Sequence, residues 1–205
     1  MRVKICGLSK KQEVKSCVKF GADFCGFILN YKKSHRYINY KKAKELTCLY
    51  KGKSKFVGVL VSPNKDELQK FSKLKIDYFQ IYGNFSKNEV LKIKKKYKKK
   101  IIYALQIKKK RDVFKYKEYM KVADIILWDS SGLNKSLSWN FNWIKLIPKK
   151  MLKMIAGNIN IKLLKKLSNL ADIVDVSGAL ETNKVKDIGK IKNFLSQARM
   201  VNNEN

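Results

Sequence analysis

Proline, histidine, arginine and acid are scarce in this chain. Among 205 residues there are 2 prolines and 1 histidine, and 16 Asp and Glu stand against 47 Lys and Arg. The arginines are Arg2, Arg36, Arg111 and Arg199; all other positive side chains are lysine. With one histidine, and four cysteines (Cys6, Cys17, Cys25, Cys48) showing no C-x-x-C spacing, no metal site of the usual kind and no disulfide framework are expected. Reduced thiols fit a cytoplasmic protein. No apolar run approaches the roughly 20 residues that span a bilayer, and the first residues run straight into a strand, so neither membrane contact nor a signal peptide is expected. A glycine-rich G-x-G-x-x-G is also missing after the first strand, which counts against an open dinucleotide-binding sheet.

What is present is an apolar fraction of 45% and a net charge of +31. The first is ample for the core of one domain. The second would suit phosphate neutralisation by a nucleic-acid-binding protein. Against that, the lysines are scattered over most helical segments, with the densest run between Lys92 and Lys100. Basic and aromatic residues do not alternate as in an RNA-binding motif. Abundant Lys, Asn, Ile, Tyr and Phe match the drift of an A+T-rich genome, with solvated lysines collecting on tolerant surfaces. No specific nucleic-acid partner is therefore expected, although a catalytically decayed barrel with a lysine-rich nucleic-acid-binding surface is the alternative. Under either reading a small anionic substrate would be attracted.

Periodicity gives a regular alternation. Apolar runs at Val3–Cys6, Phe24–Ile28, Phe56–Leu60, Tyr78–Ile81, Ile101–Gln106, Ile125–Asp129, Leu152–Ala156 and Ile173–Ser177 start 21 to 32 residues apart, room for one strand, one helix and two loops. Amphipathic patterns lie between them, such as Leu68, Phe71 and Leu74, and two capping boxes are predicted at Ser9-x-x-Gln12 and Ser86-x-x-Glu89. Strands apolar along their length and separated by helices indicate parallel pairing with both faces covered. Eight such units predict a single-domain α/β fold, a (β/α)8 TIM barrel over residues 1–199 with a polar tail at 200–205.

Active groups of such barrels stand at the C-terminal ends of strands. There the sequence places Cys6 after strand one and Arg36 in the long loop after strand two. Asp129 ends strand six, Gly157 and Asn158 follow strand seven, and Gly178 and Ala179 follow strand eight. A thiol and a carboxyl group across a barrel mouth form a base and acid pair if their environments push their pKa values apart. Small-residue loops after strands seven and eight suit a phosphate, and a guanidinium suits a carboxylate.

These residues resemble phosphoribosylanthranilate isomerase of tryptophan biosynthesis. The similarity runs from Val3 to about Phe194 through Lys4-Ile5-Cys6-Gly7-Leu8, Gly21-Ala22-Asp23-Phe24-Cys25-Gly26-Phe27 and Lys33-Ser34-His35-Arg36-Tyr37. It continues through Val57-Gly58-Val59-Leu60-Val61 and Val174-Asp175-Val176-Ser177-Gly178-Ala179-Leu180-Glu181. The resemblance implies a barrel isomerase that carries out the Amadori rearrangement of N-(5-phosphoribosyl)anthranilate to 1-(2-carboxyphenylamino)-1-deoxyribulose 5-phosphate. Asp129 would be the general acid and Cys6 the general base. Arg36 would hold the anthranilate carboxylate, and Gly157, Asn158, Gly178 and Ala179 the phosphate. No metal or organic cofactor would be needed; the partner would be the phosphorylated small-molecule substrate, and the protein a monomer or weak homodimer. Four departures stand out: His35 replaces a proline, Tyr82 replaces a histidine, the loop Gly132–Trp139 is shorter and poorer in glycine, and Asn158 replaces the second glycine after strand seven. A histidine-pathway relative on the same barrel works with paired aspartates, and Cys6 argues against it.

Overall fold

The computed structural model describes residues 1–130 and 138–203. Of the altered strand-six loop predicted over Gly132–Trp139, residues 132–137 lie outside the described residues, as do residue 131 and the last two residues of the predicted tail.

Eight parallel strands close into a barrel in sequence order: β1 (Arg2–Cys6), β2 (Phe24–Ile28), β3 (Lys55–Val61), β4 (Tyr78–Tyr82), β5 (Lys100–Ile107), β6 (Ile125–Ser130), β7 (Lys153–Ile155) and β8 (Ile173–Val176). Each end lies within one residue of the apolar run that predicted it. The barrel closes where β8 pairs with β1, with Lys4 opposite Asp175 and Ile5 opposite Val176.

Alternation along the strands sorts the core into two compartments. Outward residues such as Ile5, Phe27, Phe56, Phe79 and Trp128 pack with the helices in a continuous apolar annulus. Inward residues fill the barrel: Phe24, Val57, Tyr78, Ile102, Leu127, Met154 and Ile173 form an apolar plug. Lys4, Gln80 and Asp175 share this interior, and all three are buried.

The helices are α1 (Lys11–Lys19), α2 (Tyr40–Thr47), α3 (Lys65–Ser72), α4 (Lys87–Tyr97), α5 (Tyr116–Tyr119), α6 (Leu164–Ser168) and α7 (Ile188–Asn203). The second predicted capping box forms: Ser86 Oγ accepts from Glu89 N at 3.3 Å, and Glu89 Oε2 accepts from Ser86 N at 2.8 Å. The first box is displaced by one residue. Glu13, not Gln12, reaches back, accepting from Ser9 N at 2.7 Å and Lys10 N at 3.0 Å. A carboxylate makes stronger bonds to backbone N–H groups than an amide does, so it takes the cap.

The helix expected between β6 and β7 is also altered. Among the described residues between β6 and β7 there is only a 3-10 turn, Phe141–Leu146, and Ile147 turns to extended backbone (φ −91°, ψ 135°). Pro148 accounts for this, because the residue before a proline is driven out of the α region. After β8 the chain makes a 3-10 turn at Gly178–Leu180, and two short antiparallel strands follow, β9 (Glu181–Thr182) and β10 (Val185–Lys186).

Candidate active site

At the C-terminal mouth of the barrel all seven residues singled out from the sequence line one pocket: Cys6, Arg36, Asp129, Gly157, Asn158, Gly178 and Ala179. Tyr82, Asp175 and Ser177 share its wall.

Asp129 is the last inward residue of β6. Its Oδ2 accepts from the Tyr82 hydroxyl at 2.8 Å, and its Oδ1 accepts from the Ser130 backbone N–H at 2.7 Å. Burial disfavours the carboxylate and pushes its pKa up to about 6; the Tyr82 bond pulls the other way, and the charge of Asp175 adds to the rise. Asp129 can therefore carry a proton near neutrality. Tyr82 is fixed in turn by Gln80, whose Nε2 donates to the hydroxyl at 3.0 Å.

Cys6 ends β1 with its side chain turned inward. Burial raises the thiol's pKa, the charge of Lys4 lowers it, Asp175 raises it, and Lys186 lowers it. The net direction is up, so two buried ammonium groups are what favour the thiolate.

Arg36 crosses directly over Gly7. A β-carbon there would stand 2.3 Å from Arg36 Cδ, and Gly7 has φ +81°, so both space and backbone require glycine. The guanidinium forks onto Glu181, with Nε donating to Oε1 at 2.5 Å and Nη2 to Oε2 at 2.8 Å. Lys186 Nζ also donates to Glu181 Oε1, and His35 Nε2 lies 3.2 Å from Oε2. Burial works against this carboxylate, but Arg36 and Lys186 outweigh it and hold its pKa at about 2. Arg36 is thus positioned by a carboxylate that is ionised at neutral pH.

The two small-residue loops complete the mouth, and the one after β8 lies against Arg36, whose Nη2 would stand 3.4 Å from a β-carbon on Gly178. Gly157 has φ +116° and Asn158 φ +49°; asparagine tolerates the left-handed region better than most residues. Asn158 Nδ2 donates to Ser138 Oγ at 3.2 Å, and Trp139 Nε1 donates to Ala156 O at 2.8 Å. These bonds pin the loop after β7 to the chain re-entering from β6. Ser177 Oγ donates to the carbonyl of Cys6 at 2.9 Å, tying the loop after β8 to the thiol's own residue.

Sequence reasoning did not assign Glu181, Lys186, Lys4 or Asp175 to the site. Lys4 and Asp175 did leave a signal, since each is a charged residue inside an otherwise apolar strand that should be covered on both faces. Among the described residues no group of three or more His, Cys, Asp or Glu is arranged to hold a metal ion, and no helix is long and apolar enough to cross a membrane.

The model of the family described as N-(5'phosphoribosyl)anthranilate (PRA) isomerase matches residues 3–197. The N-(5'-phosphoribosyl)anthranilate isomerase of Streptococcus mutans is 33% identical over 203 residues, covering 97% of this chain and 98% of its own. The crystal structure of phosphoribosyl anthranilate isomerase from Thermotoga maritima superposes with a TM-score of 0.85 at 25% identity, over 98% of this chain and 99% of its own. A further structure of that enzyme class was solved with reduced 1-(o-carboxyphenylamino)-1-deoxyribulose 5-phosphate; it matches with a TM-score of 0.83 at 24% identity, over 98% and 99% of the two chains. Fold, sequence and family model agree over nearly the full length, and the chain belongs to the N-(5'-phosphoribosyl)anthranilate isomerase family.

Proposed function

We propose that Cys6 and Asp129 are the general base and general acid of the reaction that names the family. As a member of that family the protein is an isomerase of tryptophan biosynthesis, acting on N-(5'-phosphoribosyl)anthranilate. The observation that carries the assignment is the joint placement of a thiol and a carboxyl group at the same pocket mouth, with the carboxyl's pKa raised to about 6.

Asp129 passes its proton to the ribose ring oxygen, and the C1–O bond breaks to give an open-chain iminium. Cys6, as thiolate, takes the proton from C2, and the electron pair flows to nitrogen to give the enolamine. The enol then loses its O–H proton while C1 gains one, giving the ketone. Atoms balance over the sequence; the enzyme is left with a protonated Cys6 and an ionised Asp129, and exchange of one proton with solvent at each group restores it.

Arg36 binds the anthranilate carboxylate. Nε and one N–H of Nη2 are engaged by Glu181, so the two N–H groups of Nη1 and the second of Nη2 are left for substrate. The phosphate sits against Gly157, Asn158, Gly178 and Ala179, where the lack of bulky side chains lets backbone N–H groups approach it. The surrounding positive field favours a dianionic ligand. In solution the protein is a monomer or a weak homodimer.

The test is the decay of substrate fluorescence when purified protein is mixed with freshly made phosphoribosylanthranilate. Cys6→Ala and Asp129→Asn are each expected to lower kcat by roughly 10²–10⁴-fold, the usual loss for a positioned acid or base. Near-normal turnover in either folded variant removes that residue from its role.

A further inference from the structure

A fully buried lysine lies beneath the proposed base. Lys4 has no exposed surface. Its Nζ donates to Asp175 Oδ2 at 2.8 Å across the β1–β8 seam. It sits two residues before Cys6 on the same strand, so both side chains enter the barrel interior. Gly26, the register partner of Cys6 on β2, shows how closely they converge. A β-carbon on Gly26 would stand 3.0 Å from Lys4 Nζ and 3.0 Å from Cys6 Sγ. The absent side chain leaves one small space, and the ammonium and the thiol both face it.

The ion pair is a poor device for stability. Two buried charges lose hydration that their mutual attraction seldom restores in full, and Asp175 Oδ1 makes no hydrogen bond. A leucine and a valine at these strand positions would fill the barrel at less cost. What the pair does provide is a fixed cation next to a thiol that must ionise.

We propose that Lys4, anchored by Asp175 and admitted by the missing side chain of Gly26, is a positioning residue that stabilises the Cys6 thiolate. The proposal rests on Cys6 being the base. Lys4 does not touch the substrate, since it is fully buried and does not line the pocket. Its ammonium opposes the desolvation that holds Cys6 in the thiol form. The other charged and titratable groups facing Cys6 are Asp175 from β8, Lys186 from β10, Arg36 from the loop after β2 and Tyr82 from β4. Asp175 and Tyr82 oppose the thiolate, whereas Lys186 and Arg36 are both engaged with Glu181. Lys4 is the cation that faces, with the thiol, the space left by the missing side chain of Gly26.

The experiment is the pH dependence of Cys6 alkylation by iodoacetamide, read by mass spectrometry in a Cys48→Ser background; Cys48 is exposed and remote, and Cys17 and Cys25 are buried. Turnover is measured on the same samples. Lys4→Met alone leaves Asp175 unpaired and can fail to fold, so the deciding variant is Lys4→Met/Asp175→Asn, which removes both charges together. A merely structural pair is rescued by the double change. A cation that serves the thiolate is not: the larger effect of Lys4 outweighs the opposing charge of Asp175 removed with it, so the alkylation midpoint is expected to rise by about 1 pH unit, with kcat lowered at neutral pH and KM nearly unchanged. Gly26→Ala, which crowds the ammonium and the thiol apart, should shift the midpoint in the same direction.

A folded double variant with the wild-type midpoint and kcat overturns the proposal. If the double variant does not fold, coupling is read from the other side. The ¹³Cε shift of Lys4 in wild type should show a step that follows thiol ionisation and disappears in Cys6→Ala, because linkage is reciprocal; an unchanged titration overturns the proposal. Turnover of Cys6→Ala separates the two readings. If that variant keeps its activity, the base assignment fails; if it is inactive while the double variant matches wild type, only the role of Lys4 fails.

Discussion

The two cores of this barrel differ in almost every respect. The annulus between strands and helices is apolar throughout, with Phe27, Phe56, Phe79, Phe194 and Trp128 fully buried. The inside of the barrel carries an apolar plug at its base, then a charged layer of Lys4 and Asp175, and then Cys6, Tyr82 and Asp129 at the mouth. Burying apolar area stabilises the fold, whereas burying charge costs free energy unless it is paired. The difference teaches that stability and chemistry occupy opposite faces of the same strands. On β6, Trp128 packs outward in the annulus while its neighbour Asp129 opens into the pocket.

Predictions that break or sharpen this division begin with the annulus. Phe56→Ala should cost about 3–5 kcal/mol, the usual range for losing a buried aromatic ring, and urea unfolding would measure it. The residual folded fraction should turn over substrate with unchanged KM. A loss of under about 1 kcal/mol would mean the annulus does not carry the stability.

Next in size is the Arg36–Glu181 pair, which belongs to the mouth. Arg36→Ala should raise KM far more than it lowers kcat, since it removes binding to a part of the substrate that does not react. Glu181→Gln should raise KM less, by loosening the guanidinium. Glu181 also links stability to acid. Its pKa is about 2 folded against 4.5 for an unperturbed glutamate, so its contribution is complete above about pH 4.5 and is lost as pH falls towards 2. The stability gap between wild type and Glu181→Gln should close over that interval; a gap constant from pH 2 to pH 6 would contradict the pairing.

The smallest effect belongs to the outer surface. A net charge of +31 on one small domain repels itself, so the Tm should rise with moderate NaCl as screening weakens the repulsion. A flat or falling Tm would show that the exposed lysines are already balanced by local pairs.

Much of this was legible in the sequence because it is local. A strand buried on both faces writes a continuous apolar run, and all eight runs located their strands within a residue. Cys6 and Asp129 were readable as a thiol and a carboxyl group at the ends of such runs, and both line the pocket. What was not legible depends on the closing of the barrel. Lys4 and Asp175 are 171 residues apart, and only the β8–β1 pairing brings them together. Glu181 meets Arg36 across 145 residues, and no periodicity encodes that meeting. The slip of the first capping box from Gln12 to Glu13 was a local competition between two acceptors one residue apart. The extended backbone of Ile147, which ends the 3-10 turn Phe141–Leu146, follows from Pro148, an effect that a reading of apolar spacing overlooks.

The most direct test of the division between stabilising annulus and catalytic interior is one variant, Asp129→Asn, with turnover and thermal unfolding measured on the same preparation across pH. Asp129 keeps its proton up to about pH 6 folded, against 3.8 for an unperturbed aspartate. Ionising it therefore costs the folded state stability as pH rises from about 4 to about 6, and the cost persists above that, up to about 3 kcal/mol. An amide carries no such cost. The account predicts a variant that has lost most of its turnover but whose Tm at pH 8 equals or exceeds that of wild type, with the advantage gone below about pH 4. A variant that keeps its turnover, or that loses stability at pH 8 along with activity, would contradict it.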